Sequence, residues 1–137
     1  MSSPQRVYLD ANILIYLVEG APGQRRPVEL LLQPLQAAGA RFITSELSLA
    51  EVLVHPIRGS NDRLVSLYEQ LFDEHLSTEP ISRQVLVLAA RMRAETPSRR
   101  MPDAIHIATA VLTGAHTFVT GDKGIKSLAG AMQLLTV

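Results

Sequence analysis

The strongest constraint on this chain is a repeated alternation of short apolar segments of strand character with longer segments of helical periodicity. Residues 6–10 (RVYLD) read as a strand and 11–18 as a helix. A break at 20–23 (GAPG) precedes a helix over 27–38 that Gly39 ends. A second strand, 41–44 (RFIT), runs into Ser45, an N-cap for a helix over 46–55 that Pro56 and Gly59 stop. Asn61 caps a further helix to about Phe72, and 75–80 has the composition of a weak strand. Residues 82–95 are helical, with apolar positions at Val85, Leu86, Leu88, Ala89 and Met92. After a loop at 96–100 comes a helix over 102–113, with a proline in its first turn and Gly114 at its end. A strand at 116–120, a turn at 121–124 (GDKG) and a last strand at 133–137 follow. Such alternation implies an α/β fold with a parallel sheet covered on both faces.

Composition narrows the class. The 137 residues suit one domain over 1–137. A chain 47% hydrophobic and 19% charged can build a core and is not disordered. The absence of cysteine excludes disulfides, thiolate metal sites and cysteine nucleophiles, and suits a reducing compartment. No apolar run approaches the ~18 residues that span a bilayer. The apolar run 13–18 is too short for a signal peptide and lies between Asp10 and Glu19. The expectation is a cytoplasmic protein without membrane association. Thirteen Lys+Arg balance thirteen Asp+Glu, which at first speaks against gripping nucleic acid by bulk positive charge.

The positions of the acids are more informative than their number. In an open parallel sheet, ligands bind outside the carboxyl ends of the strands. Asp10 ends the first strand, Glu51 lies in the second turn of the helix after the second, and Asp122 follows the strand at 116–120. Asp103 opens a helix leading into that strand, so this helix begins at the same rim. Four carboxylates from distant segments therefore converge on one edge. Each also has a local reading: Asp10 as a helix cap, Asp103 as a first-turn acid facing the helix dipole, Asp122 as a turn residue. Glu51 falls within an apolar stripe of Leu47, Ala50 and Val54, where a carboxylate needs a partner. Crowded carboxylates either hold protons or bind a hard cation, and carboxylate ligands without cysteine favour Mg²⁺ or Mn²⁺.

Four stretches carry these acids: VYLDANIL from Val7 to Leu14, TSELSLAE from Thr44 to Glu51, MPDAIHIATA from Met101 to Ala110, and FVTGD from Phe118 to Asp122. In order and spacing they resemble the motifs of the PIN-domain nucleases, and within them the VapC-type toxins of bacterial type II toxin–antitoxin pairs. The resemblance spans nearly the whole chain. It implies a three-layer α/β/α fold with a central parallel sheet of four to five strands. It also implies an endoribonuclease that uses Mg²⁺ or Mn²⁺ to hydrolyse RNA through metal-activated water, leaving 5′-phosphate and 3′-hydroxyl ends. Asp10 and Asp103 would be direct ligands, with Glu51 and Asp122 completing the cluster. Asn12 would position Asp10, while Ser45 and Thr120 would hydrogen-bond the carboxylates. A homodimer and a cognate antitoxin are implied as partners. The chain departs from many relatives after Asp122, where Lys123, Gly124 and Ile125 supply no further acid, which weakens any second metal position. Rival readings are a PIN-type nuclease of RNA processing or DNA metabolism without an antitoxin, and a non-enzymatic α/β binding module.

Other residues carry weaker signals. The four histidines, at 55, 75, 106 and 116, lack paired metal-ligand spacing. His106 shares a helix face with Asp103 and so either touches the site or packs in the core. Arg99 and Arg100 precede Asp103 at the rim and suit substrate phosphates or a solvated loop equally. The break over 20–26 and its apolar flanks offer a groove for a partner helix, or plain core. With four acids assigned to one site, nine remain against 13 bases. Neutrality then describes a concentrated acidic site in an Arg-rich protein, with 11 Arg and 2 Lys (Lys123 and Lys126).

Overall fold

A computed structural model describes residues 4–125 and 132–137, so Lys126 lies outside the described residues. The strands are β1 (Arg6–Leu9), β2 (Arg41–Ser45), β3 (Ser77–Glu79), β4 (Thr117–Thr120) and β5 (Gln133–Thr136). The helices are α1 (Ala11–Glu19), α2 (Pro22–Ala37), α3 (Glu46–Arg58), α4 (Asp62–Glu74), α5 (Arg83–Glu95) and α6 (Met101–Leu112). All strand pairings are parallel, in the order β3-β2-β1-β4-β5. The chain thus builds outward from β1 in one direction, then returns to add β4 and β5 on its other side. The crevice between β1 and β4 is the topological switch point, where parallel α/β sheets place their ligands.

Period-two alternation in the central strand divides the core. Val7 and Leu9 face one side, where Ile13, Leu14, Val28, Leu32, Val52, Tyr68 and Phe72 of α1–α4 pack on them. Tyr8 faces the other side, with Phe118 of β4 and Ile107 and Ala110 of α6. Helix α5 packs on α6 through small residues, Ala89 and Val85 against Ala104 and Ala108. The result is the three-layer α/β/α arrangement. Gly114, at φ +68°, provides the left-handed turn that reverses the chain from α6 into β4. That reversal brings the N-terminus of α6 back to the carboxyl rim of the sheet.

Two expectations are corrected. Pro27 was expected to open the second helix and Pro56 to stop the third, yet α2 begins at Pro22 and continues through Pro27, and α3 continues through Pro56. Pro22 is at the first helical position, where its missing N–H costs nothing. Pro27 and Pro34 are exposed, so the carbonyls they orphan face solvent. The break at 20–23 therefore shrinks to Gly20 and Ala21. On α3, the buried face is Ser48, Val52 and Pro56, whereas Ala50 and Val54 are exposed. Two apolar stripes compete on that helix, and the one aligned with the core of α1 and α4 wins.

Candidate active site

Asp10 follows the last residue of β1 and caps α1, its Oδ1 accepting from the Ile13 N–H at 3.2 Å. Its backbone N–H extends the β1–β4 ladder by donating to Val119 O at 3.2 Å. Oδ2 accepts a hydrogen bond from the Thr120 hydroxyl at the end of β4. Asp10 is 7% exposed. Burial pushes its carboxyl above the usual carboxylate range, against the pull of the Thr120 and Ile13 hydrogen bonds.

Thr120 also accepts from the Asp122 N–H at 2.9 Å, so one hydroxyl ties the ends of β1 and β4 together. Asp122 folds its side chain onto its own turn, Oδ1 accepting from the Gly124 N–H at 2.8 Å. The turn passes so close to Tyr16 that a Cβ on Gly121 would stand 2.8 Å from that ring. A glycine is required there to bring Asp122 to the rim.

Asp103 lies in the first turn of α6, where the helix dipole favours an acid. Its Oδ2 accepts from Arg100 Nε at 3.3 Å, an ion pair with the arginine 73% and the acid 19% exposed. Glu51 projects from α3, and its Oε1 is 2.6 Å from His106 Nε2. This histidine is the partner that a carboxylate at that position needs.

Asp10, Glu51, Asp103 and Asp122 line one polar cleft of about 90 Å³, together with Ala11, Asn12, Arg100 and His106. A neighbouring cavity of about 280 Å³ shares Arg100, Asp103 and Asp122 and adds Thr96, Ser98, Arg99, Gly124 and Ile125. The donor set is all carboxylate, apart from a histidine already engaged, which is the chemistry of a hard divalent cation. Yet among the described residues no group of three or more His, Cys, Asp or Glu is gathered as a ready-made cage. Like-charged carboxylates hold apart until a cation draws them together. The residues fit such an ion in type and location, with closure left to the ion.

The supporting residues divide. Thr120 does hydrogen-bond a carboxylate. Ser45 does not: its hydroxyl accepts from the Leu47 N–H at 3.0 Å as the cap of α3, and its N–H donates to the Tyr8 oxygen. Asn12 lines the cleft, but the described bonds to Asp10 come from Ile13 and Thr120. His106 is a buried residue beside the cleft, 4% exposed and bonded to both Tyr8 and Glu51. From sequence Tyr8 reads only as an aromatic of the first strand. A tyrosine in a central strand must find a partner for its hydroxyl, and that requirement is the signal that points to it.

An all-parallel sheet with four acids at its switch point defines an α/β protein built around an acidic cleft. The PIN domain family matches residues 7–131, and the chain belongs to that family. No curated protein matches it by sequence. Among solved structures it is similar to VapBC2 from Rickettsia felis bound to a DNA fragment from its promoter, at TM-score 0.73 and 18% identity, covering 97% of this chain and 99% of that one. DNA-bound VapBC from Salmonella typhimurium gives TM-score 0.71 and 19% identity, with 96% and 98% covered. VapC20 from Mycobacterium tuberculosis, a sarcin–ricin loop cleaving toxin, gives TM-score 0.65 and 15% identity, with 82% and 86% covered. At these identities the likeness establishes the fold.

Proposed function

We propose that this protein is an endoribonuclease dependent on Mg²⁺ or Mn²⁺, the toxin of a toxin–antitoxin pair. The observation that carries the reading is the convergence of four carboxylates, from four separate segments, into one cleft at the β1–β4 switch point. Asp10 and Asp103 would hold the cation directly, with Glu51 and Asp122 completing its surroundings. When bound, a divalent cation neutralises phosphate oxygens and acidifies an attacking water.

The chain's own groups then have distinct tasks. Thr120 fixes the Asp10 carboxylate and, through the same oxygen, the start of the Asp122 turn. Arg100, now paired with Asp103, stands where a phosphate of the substrate can take that acid's place. Arg99, Ser98 and Thr96 extend donors along the neighbouring cavity, which suits a phosphodiester backbone. His106 is spoken for by Tyr8 and Glu51. We assign no side chain the role of general base.

The antitoxin reading is supported by the fold shared with VapBC complexes. It is also supported by a cavity of about 280 Å³ beside α1, α2 and α4, where Leu14, Leu17, Leu32, Phe42, Leu71 and Leu76 form an apolar floor and Glu29, Gln33, Gln36 and His75 add polar groups. Such a cavity suits the apolar face of a partner helix. A homodimer working in the cytoplasm completes the proposal. No helix of the described residues is long and apolar enough to cross a membrane.

Brief expression followed by sequencing of RNA 5′ ends tests the activity. New 5′-phosphate ends are expected with the wild type and not with Asp10→Asn. Equal cleavage by both would refute the site. Co-purification with the product of an adjacent small reading frame is expected. An active nuclease without such a product would instead be a processing enzyme.

A further inference from the structure

A chain of hydrogen bonds runs through the interior behind the cleft and ends on Glu51. The Ser45 N–H donates to the Tyr8 oxygen at 3.1 Å. Tyr8 Oη lies 2.6 Å from His106 Nδ1, and His106 Nε2 lies 2.6 Å from Glu51 Oε1. Its members come from the β2–α3 junction, β1, α6 and α3, so four elements must dock correctly to complete it. Tyr8 and Ser45 are fully buried.

The chemistry of the carboxylate sets the direction of the last bond. The Ser45 amide donates to the Tyr8 oxygen, which in turn holds His106 through Nδ1. A carboxylate only accepts, so Nε2 donates to Glu51. Among the described residues no buried side-chain polar atom lacks a partner. The Tyr8 ring is fixed as well, stacked on Phe118 at 5.1 Å and 9° and edge-on to His106 at 5.9 Å.

Apolar side chains at positions 8 and 106 would fill the same volume without desolvating polar groups. What the polar pair adds is one N–H delivered at a fixed point to Glu51, whose side chain is 35% exposed and otherwise has rotamers open to solvent. We infer that Tyr8 and His106 are positioning residues, anchoring Glu51 by Oε1 and so setting where its other oxygen stands toward a cation in the cleft. The inference rests on the reading of that cleft as a divalent-cation site.

Calorimetric titration of Mn²⁺ into the purified full chain tests it, with melting curves to confirm folding. His106→Ala should weaken Mn²⁺ binding by roughly tenfold or more, the usual effect of losing a partner that orients a metal ligand. Tyr8→Phe, which keeps the ring on Phe118, should weaken it in the same direction by less. His106→Gln, whose amide can still donate to Glu51, should recover part of the loss. At saturating Mn²⁺ the His106→Ala defect in RNA cleavage should fall on kcat rather than KM. Folded His106→Ala and Tyr8→Phe proteins within about twofold of wild-type Mn²⁺ affinity would overturn the inference. If His106→Ala does not fold, Tyr8→Phe decides alone by the same criterion. Glu51→Gln separates two kinds of failure. Unchanged affinity there means Glu51 is no part of a cation site. Lost affinity there, with His106 and Tyr8 variants unaffected, overturns only the positioning role.

Discussion

The two walls of the cleft are built on different principles. On one wall, Asp10 and Glu51 are anchored from behind by hydrogen bonds from the interior: the Thr120 hydroxyl, the Ile13 N–H and the His106–Tyr8 pair. Most of those partners are buried, and their geometry is set by the packing of β1, β4 and α6. On the other wall, Asp103 is held by a largely exposed arginine, and Asp122 by the backbone of its own turn. The first wall has its geometry before any ligand arrives. The second can exchange its present contacts for new ones. The contrast explains how four acids share a cleft without forming a finished cage.

This contrast can be broken in four ways, taken from the largest expected effect. Asp10→Asn should reduce RNA cleavage by at least about a hundredfold, with no recovery at high Mn²⁺, because a preorganised group has no substitute. Asp122→Asn, on the adaptable wall, should lose less and recover substantially as Mn²⁺ is raised. Equal, unrecoverable losses would erase the distinction. Thr120→Val should cut activity about tenfold, since it frees the Asp10 carboxylate. The same change should destabilise the protein by about 1–3 kcal/mol, since it strands the Asp122 N–H and a buried carboxylate oxygen. Arg100→Ala should leave the melting temperature unmoved, weaken RNA binding and lower the salt slope by about one phosphate contact. A large stability loss in that variant would show the exposed ion pair to be structural.

Much of this was legible in the sequence, for identifiable reasons. Asp10, Asp103 and Asp122 each sit at an element boundary marked by local chemistry: a cap, a proline at a helix start, a glycine turn. Boundaries of that kind are written in adjacent residues, so the shared rim follows once strands and helices alternate. The burial of α3 was less legible, because Leu47, Ala50 and Val54 form as good an apolar stripe as the one that packs. Prolines 27 and 56 misled because a proline inside a helix costs an amount set by its surroundings, which periodicity does not report. The Tyr8–His106–Glu51 chain was not legible as a unit. Its links join residues 98 and 55 positions apart, and their pairing depends on how α3 and α6 seat across the sheet.

The central claim is that burying the Asp10 carboxylate in the acidic cleft carries a cost which a divalent cation relieves. It is tested most directly by the melting temperatures of the wild type and Asp10→Asn, each with chelator and with Mn²⁺. Asparagine caps a helix as well as aspartate does, so capping is not at issue. The Asp10 carboxyl is raised in the folded state, so above the ordinary Asp range near pH 4 the unfolded chain releases a proton that the folded chain retains. Stability of the cation-free wild type therefore falls as pH rises from that range through the raised folded value, and levels off above it. With chelator at neutral pH, Asp10→Asn should melt higher than the wild type, and the gap should close toward pH 4. With Mn²⁺ the order should reverse, the wild type gaining and the variant not. A variant that melts at or below the wild type with chelator, and gains equally from Mn²⁺, would contradict the account.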